Sequence, residues 1–176
     1  MLPVTETAFD GANLSIPQVV TLPERSYAAI RITGDMAALP DFAPPRFADL
    51  YGWLEERGIS GGAGFFRYLA FTADGRVELE VGALLNRPVT GDGLVSTGLL
   101  PAGRHIAATY AGPYDRLHDA FCMVSGWLRG RGLTADEVFR DAGRFPAAQI
   151  EIYRVTSGET HGPAGLRTDL LLKLAD

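Results

Sequence analysis

The sequence predicts an α+β fold: two βαββ units form an antiparallel sheet, with two helices on one face and a ligand groove between the halves. Two observations predict it. Segments 53–60 and 127–134 share the pattern Trp-Leu-x-x-Arg-Gly, and each follows an apolar helical stretch and ends on a helix-closing glycine. Strand-like runs, 27–34 and 105–112, precede the two helices, and two further strand-like runs follow each helix. Such a repeat implies two halves related by a pseudo-twofold axis, and interfaces of this kind favour clefts.

The composition is that of an ordinary globular chain and bounds the domain organisation. Of 176 residues, 47% are apolar and 21% are charged, so the chain can bury a sizeable core. We expect an N-terminal arm, 1–17, and a single domain, 18–174. Within that domain, repeat one covers 18–86 and repeat two covers 94–174.

Charge and targeting patterns exclude several classes of partner. The net charge is −5 and no cluster of Lys or Arg occurs, which argues against direct contact with nucleic acid. Residues 1–10 lack the basic and apolar regions of a signal peptide, and no run of about 20 apolar residues would span a membrane. We therefore expect a cytoplasmic protein that does not contact a membrane.

The first half contains a helix followed by a hairpin. The segment 35–45 holds three prolines and is typical of a loop. A helix is predicted over about 45–57, because its apolar residues recur with helical spacing on one face. Strands are predicted over 65–72 and 77–85. The Asp74-Gly75 pair between them predicts a hairpin turn.

The second half repeats this order. A strand is predicted over 105–111, and Gly-Pro-Tyr-Asp at 112–115 opens a helix in which proline suits the first position. The apolar stripe of this helix comprises Leu117, Ala120, Phe121, Val124 and Leu128. Two last strands are predicted, over 147–155 and 166–174.

Glu151 is the single residue most suggestive of chemistry. It lies in an apolar strand whose alternation places Gln149, Glu151 and Tyr153 on one face and the intervening isoleucines on the other. If the isoleucines meet the helices, Glu151 points away from the helices, toward a cleft. A carboxylate ringed by aromatic residues is desolvated, and its raised pKa suits cation binding or acid–base work. The alternative is an ordinary acid on a face open to water.

Two further acids are candidates by position. Glu80 lies two residues before Gly82, where a missing side chain leaves space for a ligand. Asp169 takes the matching place in the second half. The two acids would then face each other across the seam between the halves; the alternative is that both are exposed strand carboxylates.

Aromatic residues form a third group of candidates, since they stack on planar or cationic ligands. We expect those on the face opposite the helices to line the site. The candidates for ligand contact are Tyr27, Phe65, Tyr68, Tyr110, Tyr114 and Tyr153.

Metal and nucleophile chemistry find little support in the sequence. His105, His118 and His161 are scattered without metal-ligand spacing, so we expect neither a metal nor a cofactor. Cys122 lies beside Phe121 on the predicted second helix, and we expect a buried, inert thiol.

Four sequence motifs resemble those of a known family. Gly-Pro-Tyr-Asp-x-Leu at 112–117 leads into an apolar helix, then come Trp-Leu and a glycine stop, and then the Glu-x-Tyr strand at 151–153. Together with Glu-x-Gly at 80–82 they resemble the GyrI-like small-molecule-binding domain. This is the effector-binding module of AraC-type and MerR-type multidrug regulators and of the stand-alone DNA gyrase inhibitor. The resemblance covers roughly 18–174, although Asp169 stands where the family often has Glu.

The resemblance implies a groove between the halves into which Glu151 projects among aromatic neighbours. It leaves three functions open. The first is binding of a lipophilic aromatic molecule, neutral or cationic, with Glu151 as counter-charge. The second is hydrolysis of strained, cyclopropane-type alkylating compounds, with Glu151, alone or with Glu80, as acid or base. The third is a module that inhibits a larger, unidentified protein partner.

Overall fold

A computed structural model describes residues 12–159, 162 and 165–175 of this chain. Most of the predicted N-terminal arm, 1–17, and His161 lie outside the described residues.

The first half contains five strands and two helices among the described residues, plus a 3-10 turn at Met36–Ala38. They are β1 (Asn13–Leu14), β2 (Gln18–Leu22), β3 (Arg25–Asp35), α1 (Leu39–Phe42), α2 (Arg46–Glu56), β4 (Gly64–Thr72) and β5 (Arg76–Leu84). The short helix α1 occupies the segment that the prolines led us to expect as a loop, because Pro40 is accepted at the start of a helix.

The second half contains six strands and one helix among the described residues. Its elements are β6 (Ser96–Leu100), β7 (Gly103–Ala111), α3 (Leu117–Gly130), β8 (Glu137–Arg140), β9 (Gly143–Pro146), β10 (Gln149–Val155) and β11 (Arg167–Lys173). A 3-10 turn, Tyr114–Arg116, precedes α3, so Pro113 lies before the helix and is not its first residue. The β8–β9 hairpin was not predicted; β9 joins the sheet at the end of β4.

The strands form an antiparallel sheet in the order β1-β7-β11-β10-β4-β5-β3-β6, with β2 also paired to β7. The pairing of β10 with β4 joins the two halves of the chain. Outward from this seam the order is β4-β5-β3 on one side and β10-β11-β7 on the other. The fold is therefore α+β, as predicted from the sequence.

The helices end where the glycines predict. Gly58 and Gly132 have φ values of 62° and 66°, a left-handed conformation that glycine adopts without steric cost. The predicted apolar stripe of α3 is buried in full against Ile106, Ala108, Leu170 and Leu172. Helix α2 packs in the same way on Ala28, Ile30 and Ala83.

Helices α2 and α3 both lie on the face of the sheet that carries Glu151. Residues directly opposite each other in antiparallel strands point to the same face. One such row crosses the sheet from the strand beneath α2 to the strand beneath α3: Ile30, Val81, Phe66, Glu151, Leu170 and Ala108. The orientation considered from the sequence, with the isoleucines of β10 against the helices, is therefore wrong.

The opposite face has its own apolar core. Ile150 and Ile152 pack there against Phe65 and Leu171. Leu22 of β2 and Leu100 of β6, from strands at opposite ends of the strand order, join the same cluster. The sheet is therefore bent, with its two ends brought together on the face away from the helices. No helix among the described residues is long and apolar enough to cross a membrane.

Candidate functional site

A groove of about 770 Å³ lies between α2 and α3, directly above the β4–β10 seam. Its floor comes from alternate residues of the two seam strands, and its walls come from the two helices and the segment around α1. The floor residues are Phe66, Tyr68, Gln149, Glu151 and Tyr153; the walls include Met36, Leu39, Phe47, Tyr51, Tyr114, Asp115, Leu117, His118 and Phe121.

Glu151 is buried at the bottom of this groove, with 4% of its surface exposed. Its carboxylate accepts a hydrogen bond from the Tyr153 hydroxyl at 2.7 Å and one from the Tyr68 hydroxyl at 3.0 Å. Burial raises the pKa of Glu151 to about 7, although the two hydroxyls favour the ionised form. Burial and the neighbouring carboxylate also raise the pKa of Tyr68 and of Tyr153 well above the ordinary value, so both phenols stay protonated donors.

Within the described part of the chain, the carboxylate has no lysine or arginine partner in the groove. Among the described residues that line it, none is a lysine or an arginine. The other titratable groups of the lining, besides tyrosines, are Asp115 and His118, both exposed. A buried carboxylate without a counter-charge is costly when ionised, which leaves this site electrostatically suited to a cation.

Aromatic rings surround the carboxylate. The Tyr153 ring makes edge-to-face contacts with Phe47, Phe66 and Tyr114, with centroid distances of 5.9, 5.3 and 5.6 Å. Phe47 and Phe66 stack in parallel at 5.4 Å. All four rings line the groove, where a flat apolar group or a cation can contact them.

The structure brings Tyr68, Tyr114 and Tyr153 to the groove with Glu151. Tyr110 is on the same face but is buried under α3, and its hydroxyl donates to the Pro113 carbonyl at 3.0 Å. It therefore belongs to the core beneath the helix and does not line the groove.

Tyr27 and Phe65 lie on the opposite face of the sheet. In β4, Phe65 precedes the groove residue Phe66 and points the other way, and in β3, Tyr27 precedes Ala28, which packs on α2. Their rings meet edge to face at 5.4 Å. The space beside Gly82, which the sequence suggested for a ligand, is filled by Phe65: a Cβ at this glycine would lie 2.1 Å from the Phe65 ring.

The two other predicted acids also lie on that opposite face, so they do not meet Glu151. Glu80, 8% exposed, accepts a hydrogen bond from the Tyr27 hydroxyl at 2.9 Å and pairs with Arg67 at 3.4 Å. Burial and the Glu80 charge raise the pKa of Tyr27 to about 12.

Asp169 accepts a hydrogen bond from the Thr109 hydroxyl at 2.8 Å and pairs with Arg154 at 2.8 Å. It lines a second cavity of about 640 Å³, whose floor includes Ile150, Ile152 and Leu171. The alternation of β11 directs its side chain away from the groove, so the pair of facing acids envisaged from the sequence does not form there.

Phe47 and Phe66 line the groove but are not among the ligand contacts predicted from the sequence. Phe66 shares the face of Tyr68 by simple alternation in β4, which was the available signal. Cys122 was expected to be buried, but it is exposed, with Sγ 3.6 Å from His118 Nε2. Among the described residues, no group of three or more His, Cys, Asp or Glu side chains is arranged to hold a metal ion.

A bent antiparallel sheet, two helices on one face and an aromatic groove with a buried acid between them define a small-molecule-binding α+β domain. The chain belongs to the GyrI-like family: residues 17–174 match the GyrI-like small molecule binding domain. No curated protein sequence matches the chain.

Solved structures of similar fold include regulators, a hydrolase and a ligand complex. The C-terminal domain of EcmrR is 15% identical with a TM-score of 0.69, and the match covers 92% of this chain and 98% of that domain. A hydrolase from Listeria innocua is 14% identical with a TM-score of 0.60, covering 90% and 91%. SAV2435 bound to tetraphenylphosphonium is 9% identical with a TM-score of 0.57, covering 92% and 94%.

These identities are low, so the likenesses show a shared fold alone. The chain spans 58% of the length of EcmrR as it occurs in its DNA complex.

Proposed function

We propose that this protein binds a lipophilic, aromatic and cationic small molecule in the groove between α2 and α3, with Glu151 as the counter-charge. One observation carries the proposal: Glu151 is buried, its pKa is raised to about 7, and the described groove lining offers it no positive side chain. A bound cation would relieve the cost of the ionised carboxylate by supplying that missing charge.

The aromatic lining supports the same class of ligand. Phe47, Phe66, Tyr114 and Tyr153 form one cluster of ring contacts and line the groove that contains the carboxylate. Such rings contribute dispersion and cation–π attraction to a delocalised or shielded cation. The groove volume of about 770 Å³ falls in the range typical of drug-sized ligands. Tetraphenylphosphonium, the ligand named for SAV2435, is both aromatic and cationic.

The first experiment measures the affinity of tetraphenylphosphonium for the wild type and for Glu151→Gln by isothermal titration calorimetry. The Gln side chain keeps the shape and removes the charge, so we expect affinity to fall by at least about tenfold, which corresponds to roughly 1.4 kcal/mol.

The matched control is Glu55→Gln on the exposed surface of α2, which changes the net charge equally but lies outside the groove lining. We expect the affinity of this variant to equal that of the wild type. An unchanged affinity in Glu151→Gln would contradict the proposed role of the carboxylate.

Hydrolysis of a strained-ring compound is the second candidate, and the pKa of Glu151 near 7 favours it. A carboxylate with that pKa accepts protons efficiently at neutral pH. Glu151 would take a proton from a water molecule as the water oxygen bonds to a ring carbon. The strained C–C bond breaks, and its electron pair passes to a carbonyl conjugated with the ring, which is then protonated.

Product analysis separates the two candidates. The protein is incubated with an excess of a cyclopropane-bearing alkylating compound, and mass spectrometry follows the ring-opened product, heavier by one water molecule. Many equivalents of product per protein, with none in Glu151→Gln, would establish the hydrolase; saturable binding without product would leave the binding function alone.

A further inference from the structure

We propose that Gln149 is a specificity-determining residue of the groove: its amide NH₂ donates a hydrogen bond to an acceptor oxygen on the ligand. The groove would then select lipophilic cations that also carry a carbonyl or ether oxygen. This inference rests on the proposed function, because it assumes that the cationic part of the ligand lies at Glu151.

The orientation of the Gln149 amide follows from its neighbour Arg144. The Arg144 Nη2 atom lies 2.9 Å from the Gln149 Oε1 atom. A guanidinium group only donates hydrogen bonds, so the amide atom facing it must be the oxygen. The NH₂ end of the amide therefore points away from Arg144.

The donors of this NH₂ group have no partner within the described residues. Gln149 forms part of the groove floor and is 7% exposed, and its one side-chain hydrogen bond there is the bond from Arg144. The Gln149 Nε2 atom is not one of the fully buried, unpartnered side-chain atoms among the described residues, so it is accessible from the groove and its hydrogen-bonding capacity is open to a ligand. A ligand oxygen above the floor would satisfy it, just as a ligand cation would satisfy Glu151.

Arg144 holds the amide in place before any ligand arrives. Its Nη1 atom donates to Glu137 at 2.8 Å, and its guanidinium carbon lies 4.3 Å from the centre of the Phe71 ring. The guanidinium is thus restrained by an acid, by a ring and by the amide itself. A donor fixed in this way loses little conformational entropy when a ligand binds.

The spacing of the two polar floor residues describes the ligand. Gln149 and Glu151 project from the same face of β10, two residues apart, so their side chains leave the strand roughly 7 Å from each other. The floor therefore offers one acceptor for positive charge and one donor for an oxygen, separated by about the width of an aromatic ring. A site built with a donor disfavours an analogue that lacks the matching acceptor.

Two phosphonium ions of nearly equal shape test the inference. In (4-acetylphenyl)triphenylphosphonium a carbonyl oxygen occupies the position that a CH₂ group takes in (4-isopropenylphenyl)triphenylphosphonium. We expect the wild type to bind the acetyl compound roughly threefold to tenfold more tightly, the gain from one added hydrogen bond. In Gln149→Met this ratio should fall to about one.

Arg144→Met tests the positioning role of Arg144. Freed from the guanidinium, the amide can rotate, so the ratio between the two compounds should fall although Gln149 is still present. Arg129→Met on the exposed surface of α3 is the matched control, since it removes an arginine in the same way but lies outside the groove lining; its ratio should stay at the wild-type value. Thermal unfolding verifies that each variant is folded, and Gln149→Met carries the test if Arg144→Met is not.

The outcomes separate this inference from the proposed function. Equal affinity of the wild type for both compounds, or an unchanged ratio in Gln149→Met, would overturn the role of Gln149 while cation binding stands. Glu151→Gln should weaken both compounds and preserve their ratio. If neither compound binds to the wild type, the proposed function fails and this inference fails with it.

Discussion

Glu151 and Glu80 show how the surroundings of a side chain decide its chemistry. Both are glutamates on central strands, and both are almost fully buried, with 4% and 8% exposure. Glu80 has Arg67 beside it and a hydrogen bond from Tyr27, which together satisfy its charge. Glu151 receives two tyrosine hydroxyls and no described cation, so its charge remains available to a ligand.

The raised pKa of Glu151 predicts a pH dependence of stability. Its ordinary value is 4.5 and its value in the folded protein is about 7, so between these pH values the folded chain holds a proton that the unfolded chain has lost. The stability from this group is complete below pH 4.5 and is lost as the pH rises through 7. The loss amounts to at most about 3 kcal/mol. Glu151→Gln should lack it.

Urea unfolding of the wild type and of Glu151→Gln across this pH range measures the difference. The other titratable groups in the described groove lining all remain in the variant, so the comparison isolates Glu151; they are Tyr51, Tyr68, Tyr114, Tyr153, Asp115 and His118. Parallel pH profiles for the two proteins would show that Glu151 titrates at its ordinary value.

Among the elements, β10 decides where the site lies. Its alternation divides Gln149, Glu151 and Tyr153 from Ile150 and Ile152, and a shift of one residue in its pairing would exchange the two sets. The isoleucines pack into the core on the far face, and their burial holds the register that keeps Glu151 in the groove. The apolar core of one face therefore positions the polar floor of the other.

The contact between β5 and β4 on the far face predicts the effect of a glycine substitution. In Gly82→Ala the new Cβ would lie 2.1 Å from the Phe65 ring, which has no free space because it is fully buried. We expect a loss of stability of about 1–3 kcal/mol from overpacking, measured by urea unfolding.

Gly126→Ala in α3 is the matched control for that substitution. A Cβ at Gly126 would meet nothing within 4 Å, and alanine is the better helix former. We expect its stability to rise by roughly 0.5–1 kcal/mol. Equal effects of the two substitutions would mean that Phe65 can move away from Gly82 at no cost.

In the whole molecule, the groove belongs to both halves. The first half supplies α2 and β4, the second supplies α3 and β10, and the hydroxyls on Glu151 come one from each half, through Tyr68 and Tyr153. The site exists only when β4 pairs with β10, because that pairing brings the two helices to face each other across the floor. Folding and assembly of the site are therefore one event.

The local pattern of the sequence determined α2 and α3, the hairpin at Asp74-Gly75 and the division of β10 into two faces, since these depend on periodicity and glycine conformation. The order of its motifs also identified the family. Alternation states which residues share a face, but it does not state which face the helices cover, so the orientation of Glu151 had to come from the structure.

Tertiary structure alone decided which acid has a counter-charge. Arg67 reaches Glu80 across paired strands on one face, while the other face places aromatic rings from four separate segments around Glu151. The hydrogen bond from Arg144 to Gln149 was also decided by the tertiary structure, because Arg144 lies in the β8–β9 hairpin, which was not predicted from the sequence. Charge compensation depends on distances between residues far apart in the chain, and those distances are set only when the sheet has assembled.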